Sequence, residues 1–355
     1  MIPLLIPVFC IVLAFAPGAQ QLPSAVTQKL LLRAEGGDAK SQFDLGQAYE
    51  AGTGVQQNDD LAAKWYRAAA TQDYAPAENR LGVMYSLGRG VNRDKAEALR
   101  WYRKAAKHRL PEGCFNVAIS YYNGDGVMED INLAYAWMLA AKDAGDLQAQ
   151  EAVKRMADEM HGRIYFSEFK LADLYEQGVE IPQDLSRAAG LYRDIGINDH
   201  DFGAGDAQYN LCQLYITGRG VPLDYAQARE WCKKSTRHGV KLAYVMLGRM
   251  AELGQGEPKD RAKAAACYQD AALVLLPDGF LASGKLRLQG TSHDDQKKAY
   301  FWFYLAQHYK VPEADPLLQQ AAGNLSKKEI KKEQKLASQW IHMSEYERAH
   351  KIKTP

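Results

Sequence analysis

Ser167-Glu168-Phe169-Lys170 has the Ser-x-x-Lys spacing that sets a lysine amine one helical turn from a nucleophilic hydroxyl, as in penicillin-recognising enzymes. The Ser-Asp-Asn and Lys-Thr-Gly elements that complete such a site are missing, so a β-lactam-hydrolysing enzyme is the less favoured reading. The eight histidines (108, 161, 200, 238, 293, 308, 342 and 350) never pair at the His-Glu-x-x-His spacing of a zinc protease. His293-Asp294-Asp295 reads as solvated polar residues in a loop, with one of them capping a helix. Cys114, Cys212, Cys232 and Cys267 fit no paired Cys-x-x-Cys metal pattern and read as small buried hydrophobes rather than disulfides or catalysts. The Gly-x-Gly loops lack the Gly-Lys-Ser/Thr that would cradle a phosphate. Lys327 to Lys335, with five lysines and two glutamates, reads as a solvated helix face. No catalytic residue, metal or cofactor is expected.

Any such residue would have to be held by helices, and the chain declares those helices by repetition. The first glycine of a Gly-x-Gly-like loop recurs at Gly52, Gly88, Gly124, Gly178, Gly218, Gly254 and Gly290, at spacings of 36, 36, 54, 40, 36 and 36 residues. A period in this range predicts a solenoid whose units bury their apolar sides against their neighbours. In the second unit a first helix over 76–87 is stopped by Gly88-Arg89-Gly90-Val91, because glycine accepts the left-handed dihedrals of a helix end. Asp94 then sits where an N-cap belongs, with equivalents at Asp130, Asp184, Asp224 and Asp260. Leu99, Trp101-Tyr102 and Ala105-Ala106 form the apolar stripe of a second helix. Gly82 and the alanines are expected where two helix backbones approach closely, with Tyr85 filling the gap beside them.

Two segments leave the pattern. Residues 134–141 lead into an extra helix over 148–160, and residues 299–306 lead into helices over 315–322 and 326–343. Ser326 to Glu329 is a capping box for the last of these. Both read as segments that end an array by covering its last apolar face. The joint would lie at 161–166, and 196–205 is the longest irregular stretch between units.

The pattern Leu-Gly-x-x-Tyr-x-x-Gly-x-Gly-Val-x-x-Asp, followed by Ala-x-x-Trp-Tyr-x-Lys-Ala-Ala, resembles the Sel-1-like repeat, a relative of the tetratricopeptide repeat. Leu81 to Ala106 matches it best, and seven copies run from about Gly37 to Gln307. The fourth departs most, with Glu180-Ile181 in place of Gly-Val and Leu191-Tyr192 in place of Trp-Tyr. The seventh has Arg287 in place of the tyrosine and is one residue short before Trp302. The resemblance implies an all-α fold, a right-handed α-α superhelix of helix pairs, acting as an adaptor or scaffold. The implied organisation is a signal peptide (1–19), a lead-in helix (20–36), three repeats and a capping helix (37–160), four repeats (161–310), and capping helices with a tail (311–355).

In solenoids of this class the first helix of each unit lines the concave side. The positions flanking the Leu-Gly pair are then Phe43, Gln47 and Glu50; Asn79, Val83 and Ser86; and Phe115, Ile119 and Tyr122. The second half gives Phe169, Asp173 and Glu176; Tyr209, Gln213 and Ile216; and Val245, Arg249 and Glu252. Phe43, Val83, Phe115, Ile119 and Tyr122 would make an apolar track, the kind of surface that marks an interaction site.

Composition sets the context. A net charge of +1 over 355 residues supplies no global field for nucleic acid. The apolar run Met1 to Ala16, followed by small residues, reads as a secretory signal peptide too short to span a bilayer. A periplasmic or secreted protein binding a protein partner is therefore the expectation. An immunity protein neutralising a secreted toxin, or a factor associated with cell-envelope polysaccharide or peptidoglycan, are the alternatives.

Overall fold

The computed structural model describes residues 25–160, 164–198 and 203–343. Among them are helices and turns but no strand, so the all-α expectation holds. The chain forms two compact units, one holding the described residues up to Asp130 with Ala144–Asp146, the other Ile131–Asp143 and the described residues from Leu147 on. The expected joint at 161–166 includes 161–163, which lie outside the described residues, as do 1–24, the expected signal peptide among them.

The first unit contains α1 (Ala25–Glu35), α2 (Ala39–Ala51), α3 (Asp59–Ala70), α4 (Ala75–Leu87), α5 (Lys95–Lys107) and α6 (Pro111–Asn123), each packed on the next. The second begins with α7 (Ile131–Asp143), α8 (Leu147–Glu159), α9 (Tyr165–Gln177), α10 (Leu185–Ile197), α11 (Ala204–Thr217) and α12 (Tyr225–Arg237). It continues with α13 (Lys241–Leu253), α14 (Arg261–Leu273), α15 (Pro277–Leu288), α16 (His293–His308), α17 (Ala314–Ala322) and α18 (Lys327–Ile341). There α7 packs on both α8 and α9, and from α9 to α16 each helix again packs on its successor. Of the expected irregular stretch 196–205, Gly196 and Ile197 belong to α10 and Ala204 and Gly205 to α11; residues 199–202 lie outside the described set.

Local chemistry fixes the helix boundaries. Asp94, Asp184, Asp224 and Asp260 each accept a backbone N–H from the first turn of the following helix, as does Asn58 in the first repeat. Residues at this cap position also work backwards. The backbone N–H groups of Asn58, Asp94, Asp130, Asp184 and Asp224 donate to the carbonyls of Tyr49, Tyr85, Tyr121, Tyr175 and Tyr215, closing each loop onto the helix before it. The first loop glycine is left-handed from Gly52 through Gly254, but Gly290 is not, and α15 is C-capped one residue earlier, by Gln289. The second glycine answers to packing. A Cβ on Gly90, at φ +61°, would lie 2.0 Å from the Asp59 carbonyl oxygen of the preceding repeat.

Gly82 adds to an expectation. A Cβ there would lie 2.6 Å from the Tyr102 ring and 3.1 Å from the Ala98 carbonyl oxygen, so glycine makes room first for the tyrosine of the Trp-Tyr pair and also for the facing α5 backbone. Gly46 serves Tyr66 and Gly248 serves Tyr268 in the same way. Tyr85 packs against the core that holds Leu81 and Trp101, and the hydroxyls of Tyr85 and Tyr121 each accept from an arginine of the preceding repeat's second helix, Arg67 and Arg103. At the C-terminal end α18 docks on α16, with Trp340 edge-on to Phe280 and Trp302 at 5.4 and 6.3 Å between ring centroids. Ser326 completes the expected capping box with Glu329, and the lysines of 327–335 are all exposed.

Candidate partner-binding face

In the first unit the expected face runs over α2, α4 and α6. Asn116 Nδ2 donates to Asn79 Oδ1 at 2.8 Å, which brings α6 and α4 side by side. Residues three or four apart share a helix face, so Val83 lies one turn on from Asn79, and Ile119 one turn on from Asn116. Val83, Phe115, Ile119, Tyr122, Asn79 and Ser86 are all half-buried, while Gln47 is exposed. Phe43 is spoken for by its own repeat, its ring 5.6 Å from that of Tyr66 and 5.5 Å from that of Tyr74.

Glu50 sits on the expected face, but its carboxylate is engaged from behind. Tyr66 Oη donates to Glu50 Oε2 at 2.6 Å, and Arg89 approaches Glu50 Oε1 at 3.4 Å. Arg89 also clasps Asp59 with both Nη2 (2.8 Å) and Nε (3.1 Å). The second unit repeats the arrangement. Tyr192 Oη donates to Glu176 Oε2 at 3.0 Å and Tyr268 Oη to Glu252 Oε2 at 2.7 Å, all three pairs being 16 residues apart. Burial and the neighbouring carboxylate both hold these phenols protonated, well above the usual tyrosine range. Sequence reasoning missed these pairs, although their constant separation was there to find.

The remaining second-unit positions are mixed. Tyr209, Gln213 and Ile216 on α11 are half-buried, and Arg249 on α13 is exposed. Phe169 packs against the Tyr192 ring at 5.5 Å, Asp173 accepts from Gln177, and Val245 packs against the core of Ala251, Ala264 and Tyr268. A shallow depression of about 360 Å³ lies among α7, α9 and α10, with Asp143 and Arg187 in its lining. Those two satisfy each other, Arg187 Nε donating to Asp143 Oδ2 at 2.7 Å.

Ser167 is wholly buried, with Oγ 3.5 Å from Asn132 Oδ1, while the Lys170 amine lies over the Phe166 ring. His293 is not in a loop: it opens α16, with Nε2 2.7 Å from Glu329 Oε1. The reading of all four cysteines as packing residues is corrected for two of them. Cys212 and Cys232 form a disulfide between α11 and α12. They occupy the positions of Gly82 and Tyr102, 20 residues apart in both repeats, so a covalent bond replaces a glycine–ring contact. Cys114 and Cys267 are free thiols, pushed up to about 12 and about 11 by burial. Among the described residues, the side chains that converge as a metal-ligand set are Asp73, Glu78 and His108, around the turns joining α3 to α4 and α5 to α6.

Seven stretches match the Sel1 repeat: 39–74, 75–109, 111–146, 166–193, 205–240, 241–273 and 280–306. The chain belongs to the Sel1 repeat family. An exopolysaccharide production negative regulator of Rhizobium meliloti (strain 1021) is 27% identical over 126 residues, which span 30% of this chain and 46% of that protein. A solved Sel1 repeat protein of Oxalobacter formigenes is 26% identical, over 69% of this chain and 91% of its own, with a TM-score of 0.32. A protective antigen of uropathogenic Escherichia coli with an SLR fold is 22% identical, over 92% and 97%, with a TM-score of 0.33.

Proposed function

We propose that this Sel1 repeat chain is an exported, non-enzymatic scaffold that holds a protein partner along the first-helix faces of its repeats. The observation that carries the reading is the half-buried apolar set Val83, Phe115 and Ile119 on α4 and α6, amid neighbours such as Leu81 and Val117 that are wholly buried. Apolar side chains left part-open beside one another, rimmed by Asn79, Ser86 and Asn116, are what an interaction face requires. Burial of Ser167 supports a binding role over acyl transfer. The Cys212–Cys232 disulfide supports an oxidising, hence periplasmic or secreted, location. The Rhizobium relative, an exopolysaccharide production negative regulator, favours one second reading, a role in controlling envelope polysaccharide.

The test replaces Val83 and Ile119 together with glutamate and compares affinity purification from the envelope fraction with the parent chain. Partner capture should be lost while the thermal midpoint stays at the parent value. Capture that persists, or that falls only because the variant unfolds, overturns the assignment.

A further inference from the structure

Glu78 stands in the first turn of α4 with 0% of its surface exposed, and neither carboxylate oxygen has a hydrogen-bond partner. A buried carboxylate in that state is costly unless something of opposite charge joins it. Two other repeats, the first and the fifth, hold glutamine at this position. Gln42, 36 residues earlier, uses its amide fully: Nε2 donates to the Ala34 carbonyl at 3.0 Å and Oε1 accepts from Gln72 Nε2 at 2.7 Å. In the fifth repeat Gln208 Nε2 donates to the Gly196 carbonyl at 2.9 Å. The second repeat therefore puts a buried acid where the first and fifth put a hydrogen-bonded amide.

Its partner changes in step. His108 stands 36 residues after Gln72, so a glutamine pair in the first repeat becomes a Glu–His pair in the second. His108 Nε2 is 3.7 Å from Glu78 Oε2, too long for a hydrogen bond. That separation is close to the roughly 3.3–3.6 Å between two ligand atoms on one tetrahedral zinc ion with bonds of about 2.0–2.2 Å. A third donor comes from the turn before α4. Asp73 adopts the left-handed region at φ 59°, which aspartate tolerates better than most residues, and ligand atoms of Asp73, Glu78 and His108 lie within 4.8 Å of one another. Two cationic side chains lie near the acid: His108 is itself the second donor, and Lys104 has its amine over the Trp101 ring at 4.1 Å.

We propose that Asp73, Glu78 and His108 bind one divalent transition-metal ion of the Zn2+ class, fastening the α3–α4 turn to the end of α5. Two carboxylates cancel the dipositive charge, the imidazole supplies the nitrogen such ions favour, and three protein ligands leave the fourth position to water. Asp73 and His108 are exposed at the rim and give the ion its way in, while Glu78 forms the floor.

The test is calorimetric titration of the chelator-stripped full chain with Zn2+, repeated with Co2+ followed by visible absorption. The parent should take up one equivalent in the site and gain thermal stability. Glu78→Gln installs the residue the chain itself uses at 42 and 208, and His108→Gln the one it uses at 72. Each should weaken Zn2+ binding by at least about tenfold, since loss of even an outer-shell partner costs about that much, and abolish the thermal gain. A parent that binds no Zn2+ overturns the proposal. So does binding unchanged in both variants, which would place the ion elsewhere. Should Glu78→Gln fail to fold, the His108→Gln titration decides alone.

Discussion

Tyr66 and Glu50 tie the two helices of the first repeat together, the buried phenol donating to a carboxylate that two arginines, Arg80 and Arg89, approach from the other side. The tyrosine fills the space its glycine opens, and the glutamate keeps the tyrosine's oxygen from being orphaned. The second repeat keeps the tyrosine and changes its partner: Tyr102 pairs with Ser86.

Tyr66→Phe removes the donor and leaves the ring in place. A hydrogen bond to a charged acceptor contributes about 1.5–3 kcal/mol, a neutral one about 1. Urea unfolding should therefore show a larger loss for Tyr66→Phe than for Tyr102→Phe. Equal losses would deny the carboxylate its special part.

The disulfide gives a second prediction. Closing a loop between residues 20 apart stabilises by about 3 kcal/mol in the chain-entropy account. Reduction should lower the thermal midpoint of the parent chain. The double variant Cys212→Gly/Cys232→Tyr, which restores the pair found in the second repeat, should recover part of that loss and become insensitive to reductant. Identical melting of the parent with and without reductant would contradict this.

Glycine positions can be ranked by what a methyl group would meet. Gly90→Ala drives a Cβ into the Asp59 carbonyl oxygen, whereas Gly239→Ala, at φ +77°, meets nothing within 4 Å. Left-handed strain alone costs about 1–2 kcal/mol, and the collision adds about 1–3 more. Chemical denaturation of the two variants should separate by that difference, with Gly90→Ala the weaker protein.

Acid should loosen the C-terminal helix first. The Ser326 hydroxyl, His293 and the Ser326 backbone hold Glu329 down to about 2. A depressed carboxylate stabilises fully above its unfolded value of about 4.3 and loses that contribution as pH falls through its folded value. Amide exchange in α18 should accelerate between about pH 4 and 2, and Glu329→Gln should flatten that dependence.

Much of this architecture was legible because it is local. Asp94 capping α5 and Gly88 ending α4 are decided within a few residues, and the sequence states them directly. Relationships across a repeat were harder. Cys212 and Cys232 were each visible as departures from their positions, yet only their common 20-residue offset, shared with Gly82 and Tyr102, makes them partners. The face itself was least legible. Whether Phe43 points at solvent or at Tyr74 depends on how closely two helices approach, which no single repeat encodes.

The bond between Cys212 and Cys232 also has a mechanical meaning. A chain pulled from its two ends would pay out every repeat except the stretch between these cysteines, which stays off the load path while the bridge is intact. At about 3.3–3.6 Å per extended residue, the 20-residue span hides roughly 70 Å of contour. The oxidised protein is thus a tether of shorter reach than the reduced one, and its length under force reports the redox state of its surroundings.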